Sequence, residues 1–259
     1  MEVSVNTFTG KRILFFTTAI YFALIFIPLI SATEYTFKTS VKGSYSWNNY
    51  RWVFEQSEFT HYVLRSFWIA GLSVIVSLLI LIPLQTWLAI SQSKWRSFVE
   101  VVSLFPLIIP VVAFAIGAQV AMPLFVQDSV LELPFLYAML SLPYTYRAID
   151  IGLSAIPIKT LYEASMISGA TWPKTILRVI LPNTRTAVLA SSALGFALCI
   201  GEFTLTSLLH WDTFPTWIND VSQDSVLGAI TLSVISLLIP IVIIALFAFL
   251  LTKGKEKNE

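Results

Sequence analysis

The chain has 259 residues, of which 56% are apolar, 14% aromatic and only 12% charged, with a mean hydropathy of +0.79 and a formal net charge of +1. This balance excludes a water-soluble globular domain and leaves no polar stretch long enough to fold as one, so the chain reads as a single membrane domain, residues 1–259. Near-neutral charge gives no signal for nucleic acid, and one cysteine, Cys199, inside an apolar run excludes an intrachain disulfide and a thiolate metal cluster.

About 20 apolar residues at a rise of about 1.5 Å each cross the hydrocarbon core. In chain order, the uncharged windows predict an all-α membrane protein of six transmembrane helices, at about 13–33, 66–91, 98–122, 133–149, 185–210 and 226–252. The first span follows the basic flank "FTGKRILFF" with no small-residue cleavage site after it, which reads as an anchor rather than a removed leader. The external loop, 34–65, holds "SYSWNNYRWVFEQSEFTHY", an interfacial amphipathic helix with Trp47, Tyr50, Trp52 and Phe54 in the headgroup belt and His61 as an interfacial partner. In the third span Pro106, Pro110 and Gly117 mark kink and packing points, as Gly195 does in the fifth.

The fourth span is short, since only 14 residues separate Glu132 from Arg147. Basic residues near span ends decide it. With six spans, Lys11, Arg12, Lys94, Arg96, Arg147, Lys159, Lys174, Arg178, Arg185, Lys253, Lys255 and Lys257 lie inside, 12 against the four of Lys38, Lys42, Arg51 and Arg65; without the fourth span the count inverts. Both termini are therefore expected in the cytoplasm, with Arg147 snorkelling to the inner surface.

A cytoplasmic loop, 150–184, follows, and "TLYEASMISGATWPKTILRVILP" within it is unusually polar for this chain. Thr160 and Glu163 form a Thr-x-x-Glu capping box that starts a helix from Leu161 to about Ser168, and Gly169 supplies its left-handed stop. Thr171 caps a second helix with Pro173 in its first turn, which Leu181-Pro182 ends. Ala164, Ser165, Ser168 and Gly169 give the first helix a small-sided surface, over which another protein's backbone can come close. A folded loop of this kind with no catalytic constellation reads as a docking element.

Glu163-Ala164-Ser165, three residues, Gly169, nine residues, Val179, one residue and Leu181-Pro182 resembles the EAA loop of permease subunits of binding-protein-dependent ABC importers, which runs Glu-Ala-Ala, three residues, Gly, nine residues, Ile-x-Leu-Pro. Ser165 and Val179 are the departures. "LFPLIIPVVAFAIG", "LPYTYRAIDIGLSAIP" and "ALGFALCIGEFTLTSLL" are similar to their counterparts there, so most of 60–250 is covered. The resemblance implies the type I ABC importer permease fold in a bacterial inner membrane. It also implies a loop helix that couples to an ATPase dimer through Glu163, Ala164, Ser165, Ser168, Gly169 and Ala170, with Thr160, Pro173, Leu181 and Pro182 shaping the loop; Glu163 can equally serve the capping box alone. The further partners implied are a second permease, a related chain rather than a second copy, and a solute-binding protein outside. This chain is then a non-catalytic subunit without a cofactor. ATP and Mg2+ belong to the partner ATPase, since no Gly-x-x-x-x-Gly-Lys-Ser/Thr occurs and Pro157 stands in "GLSAIPIKT" where the second glycine is needed.

Glu202 is the one carboxylate deep in a predicted span; with Phe203 it is a candidate for the translocation path, and a hydrated or paired structural acid is the equal alternative. "GEFTLTSLLHWDTFP" most resembles the branch carrying polyamines, thiamine or ferric iron, with oxyanion importers near, which favours a polyamine-like cation. An ion-coupled secondary transporter is the alternative class. It would show several intramembrane acids or paired repeats. With no clustered acids and only His61 and His210, neither a catalytic set nor a metal site is readable.

Overall fold

The computed structural model describes residues 7–40, 42–127 and 129–256; Lys257, counted above among the inside cations, lies outside them. Among the described residues the regular structure is helical, with one isolated antiparallel bridge between Lys38 and Tyr45. Two compact units form, one from the chain up to Phe59 with Ile218–Leu237, the other from Thr60–Trp217 with the chain from Leu238 onward.

In the first unit, α1 (Thr7–Thr36) is apolar on every side, and its stretch Leu14–Thr36 has the length and composition to cross a membrane while burying none of its apolar window in the chain. That is the surface lipid would cover. The expected external helix is α2 (Asn48–Glu55), with Val53 fully buried and Trp47 and Phe54 outward. Polar bonds fasten it to the end of α1: Asn49 donates to the carbonyls of Thr36 and Lys38, and the Tyr50 and Thr36 hydroxyls lie 2.9 Å apart. Trp52, assigned from sequence to the headgroup belt, is half-buried instead. Its indole lies where a side chain on Gly228 would be, so a residue without one makes room for it.

Helix α3 (Ser57–Ser91) begins at Ser57 rather than near residue 66, which shortens the expected external loop. Nothing between Ser57 and Pro83 except Gly71 opposes a helix, and Glu58 sits in the first turn, where the helix dipole favours a carboxylate. The third span is not one rod. Helices α4 (Trp95–Ser103) and α5 (Phe105–Ile108) meet α6 (Val111–Ala121) at a 108° bend. Pro110 causes it, having no amide to donate and forcing the preceding residue out of the helical region; Ile109 is extended at φ −80°, ψ 124°.

After the short α7 (Leu124–Gln127), α8 (Glu132–Ser154) runs well past the predicted end near residue 149. Arg147, expected to snorkel, is paired with Glu100 at 3.1 Å, and Arg96 with Asp150 at 2.8 Å, so two ion pairs tie α4 to α8. The loop forms α9 (Ile158–Ile167), α10 (Trp172–Thr175), a π-helical turn (Ile176–Ile180) and α11 (Leu181–Asn183). Pro182 does not end the helix as expected. The widened turn before it removes the need for its missing amide, and the chain stays helical to Asn183. Helix α12 (Arg185–Ile200) stops at Gly201, short of the expected 210, and α13 (Thr204–Leu208) follows the break. Helix α14 (Phe214–Asp224) leads to α15 (Val226–Glu256), whose stretch Val226–Leu246 can cross a membrane, as can α3.

Two apolar clusters hold the second unit. One joins Ile69 and Ala70 of α3, Ala115 of α6, Leu136 and Tyr137 of α8 and Leu205 of α13. The other joins Leu81 of α3 and Tyr146, Ile149 and Leu153 of α8 to Ile158 and Ile180, so the loop is rooted in α3 and α8. Helices α8 and α12 approach closely through small residues: Gly152 faces Ala187, Gly195 faces Thr145, and Ser191 donates to the Thr145 carbonyl at 3.2 Å. A β-carbon at Gly152 would overlap Ala187. Gly152→Leu is therefore expected to destabilise the chain by about 1–3 kcal/mol. Thermal unfolding in detergent checks this, and an unchanged midpoint would contradict the packing described.

Candidate functional site

The polar loop is built from its buried side outward. Pro157 stands at the N-cap of α9 without a side-chain cap bond, and Ile158, the first helical residue, is buried in the second apolar cluster. The predicted capping box does not form. Burying Ile158 draws the helix start back before Thr160, which lies exposed within the first turn and caps nothing. Ile158, Leu161, Tyr162 and Ser165 face inward or partly inward at helical spacing, leaving Glu163, Ala164, Ile167 and Ser168 on the outside.

Ser165, where the resembled pattern has alanine, is buried and does not belong to the exposed small-sided face assigned to it from sequence. Its hydroxyl donates to the Tyr162 carbonyl at 2.7 Å and lies 2.8 Å from the fully buried Thr175 hydroxyl. With the single Ser165 proton committed to Tyr162, Thr175 is the donor between the two hydroxyls. This bond fastens α9 to α10. An edge-on contact of Tyr162 with Trp172, ring centres 5.7 Å apart, lies beside it.

Gly169 stops the helix as expected, at φ +75°. The Ala170 amide donates to the Ser165 carbonyl and the Gly169 amide to the Met166 carbonyl, the two bonds of a Schellman motif. Thr171 and Pro173 occupy the expected places at the start of α10, although the Thr171 side chain makes no cap bond. The outward surface carries Glu163, Ala164, Ser168 and Ile167, the last 89% exposed. Glu163 makes no hydrogen bond or ion pair among the described residues. Such a face is partly apolar and anchored from behind, which suits protein contact.

Glu202 lies in the break between α12 and α13, not within a continuous helix. Both its carboxylate oxygens accept from the Leu205 amide, at 2.9 and 3.1 Å, satisfying a donor that the start of α13 leaves open. It also lines a cavity of about 450 Å3 with Tyr137, Ser141, Tyr144 and Pro110. Phe203 next to it is half-exposed and does not line that cavity.

Sequence reasoning missed Glu132, which it used only to mark the edge of the fourth span. The side chain is 1% exposed and accepts from the Trp211 indole at 2.8 Å and from the Gln119 amide at 3.2 Å. Arg65 lies over the Trp211 ring and 3.7 Å from Asp212, extending this polar cluster. Nothing local to residue 132 signals a partner 79 positions away.

Known proteins place this architecture. The molybdenum transport system permease protein ModB of Azotobacter vinelandii is 28% identical over 149 residues, 52% of this chain and 66% of that protein. The diacetylchitobiose uptake system permease protein DasC of Streptomyces coelicolor is 28% identical over 209 residues, 76% of this chain and 73% of that one. In fold, the chain is similar to one in the crystal structure of a bacterial ABC transporter involved in the import of the acidic polysaccharide alginate, with a TM-score of 0.61 at 15% identity over 96% of both chains. The family described as binding-protein-dependent transport system inner membrane component matches residues 82–254, and the chain belongs to it.

Proposed function

We propose that this chain is one permease subunit of an ATP-driven importer, that it crosses the membrane six times with both termini in the cytoplasm, and that α9 docks on a separate ATPase. The observation that carries the reading is α9 itself, anchored through Ile158 and the Ser165–Thr175 bond, closed at Gly169, and outward-facing with Ile167 exposed. A second permease and an external solute-binding protein complete the assembly. Purifying the tagged chain from native membranes is expected to bring down an ATPase whose hydrolysis rises with the loaded binding protein; a chain that purifies alone in active form overturns the reading. In a Cys199→Ser background, single cysteines at Tyr45 and Asp212 are expected to label from outside intact cells and one at Thr160 only after the membrane is opened. External labelling at position 160 contradicts the topology.

The sequence-based preference for a polyamine-like cation draws no support from the matched relatives, whose names speak of molybdenum and diacetylchitobiose. The cavity lining Glu202 has two tyrosines, a serine and one acid, and no Lys, Arg or His. With the Glu202 oxygens bonded to Leu205, this chemistry favours a neutral, hydroxyl-rich solute of the saccharide kind over an oxyanion or a cation. Glu202→Gln keeps an acceptor for the Leu205 amide and removes the charge. Uptake is then expected to stay within about twofold of the parent, whereas a cation that needs this carboxylate as its partner loses about tenfold or more. Uptake of labelled chitobiose-type sugar and of spermidine in the reconstituted complex separates the two.

A further inference from the structure

The second unit carries two cavities with two residues in common. One, of about 970 Å3, is lined from α4, α5, α8, α11 and α12, with Glu100 and Arg147 among its lining residues. The other is the cavity of about 450 Å3 that holds Glu202. Leu107 of α5 and Tyr144 of α8 line both. On α12, Leu194 lines the larger cavity and Leu198 the smaller. Those two positions share one face of the helix, separated by about 6 Å of rise. The division between the cavities therefore falls within one helical turn, at the level of Leu107 and Tyr144.

Both residues are large and neither is spent on the core: Leu107 is 57% and Tyr144 45% exposed. They also differ in what carries them. Tyr144 stands on α8, which continues unbroken from Glu132 to Ser154, one residue after the internal Pro143. Leu107 stands on the four-residue α5, directly before the 108° bend at Ile109-Pro110. A backbone change at that bend would move Leu107 relative to Tyr144 without disturbing α8. The charged side chains of the two linings, Glu100 and Arg147 on one side and Glu202 on the other, leave the shared level to one aliphatic and one aromatic group.

We propose that Leu107 and Tyr144 form the constriction between two chambers of the solute route, a barrier set by side-chain bulk and hinged at Pro110. The proposal rests on the permease reading above and adds to it the residues that decide what passes. A solute crossing this level passes between one aliphatic and one phenolic side chain, so side-chain bulk at position 144 sets what passes.

The test uses the assembled, ATPase-bound complex in vesicles, a Cys199→Ser background and a membrane-impermeant trimethylammonium methanethiosulfonate reagent applied on the ATPase side. Leu194→Cys is expected to react about tenfold faster than Leu198→Cys, although the positions are one turn apart. Adding Tyr144→Ala is expected to bring Leu198→Cys close to the Leu194→Cys rate, and Tyr144→Phe, which keeps the ring, to leave the step in place. Equal rates in the parent complex, or a step untouched by both Tyr144→Ala and Leu107→Ala, overturn the proposal. If the complex hydrolyses ATP and takes up solute yet shows no step, the constriction alone falls; if no ATPase assembles with the chain, the proposal falls together with the permease reading.

Discussion

Gly169→Asp is expected to leave a chain that inserts and folds but no longer couples ATP hydrolysis to uptake. The glycine sits at φ +75°, a conformation that costs an ordinary side chain about 1 kcal/mol or more, and its amide makes one of the two bonds that close α9. No atom lies within 4 Å of a β-carbon built there, so the fold itself has room for the substitution. On the proposed docking reading, the damage falls on the surface offered to the ATPase. Aspartate adds bulk at the exposed end of α9 and sets a negative charge at the negative end of the helix dipole, a further cost of about 0.3–1 kcal/mol. Gly169→Asn is the control, since asparagine tolerates the left-handed region and carries no charge. The expected order of coupled uptake is parent, then Asn, then Asp with a loss of about tenfold or more. A Gly169→Asp complex that assembles and transports like the parent contradicts the role given to α9.

Ser165→Val is expected to loosen the loop from within. It removes the acceptor of a Thr175 hydroxyl that is fully buried, and an unsatisfied buried donor costs about 1–3 kcal/mol. Replacing both partners is far milder, because two apolar groups leave nothing unpaired. Ser165→Val with Thr175→Val should therefore recover most of the ATPase affinity lost in Ser165→Val alone. Binding of the ATPase to the solubilised chain, measured for the parent, the two single variants and the double variant, gives the coupling directly. Strictly additive losses would show that the bond does not hold α9 to α10.

The parts of this site legible in sequence are those that one residue type dictates by itself. Gly169 announced a left-handed helix end, and Pro173 the first turn of a helix; both stand where expected. The start of α9 was not legible, because Thr160 and Glu163 satisfy a local capping pattern while the burial of Ile158 against Ile149 and Leu153 outweighs it. The Ser165–Thr175 bond joins residues ten apart through a turn whose angle no local pattern sets. In the membrane helices, hydropathy showed where apolar chain runs but not where it breaks. Pro110 was visible as a kink and became a 108° bend, and the end of α12 at Gly201, next to Glu202, lies inside what hydropathy reads as one continuous span. Glu132 looked like the edge of a span because its partners, Gln119 and Trp211, come from elements that only the fold brings together.

Cross-linking from Ile167, 89% exposed on α9, tests the central claim most directly. With Cys199→Ser as background, Ile167→Cys and a short bismaleimide are expected to join the chain to its ATPase in the active complex, while Tyr45→Cys, in the proposed external loop, is expected to give no such product. An active complex in which Ile167→Cys never reaches the ATPase, while positions outside α9 do, would contradict the assignment of this helix as the coupling element.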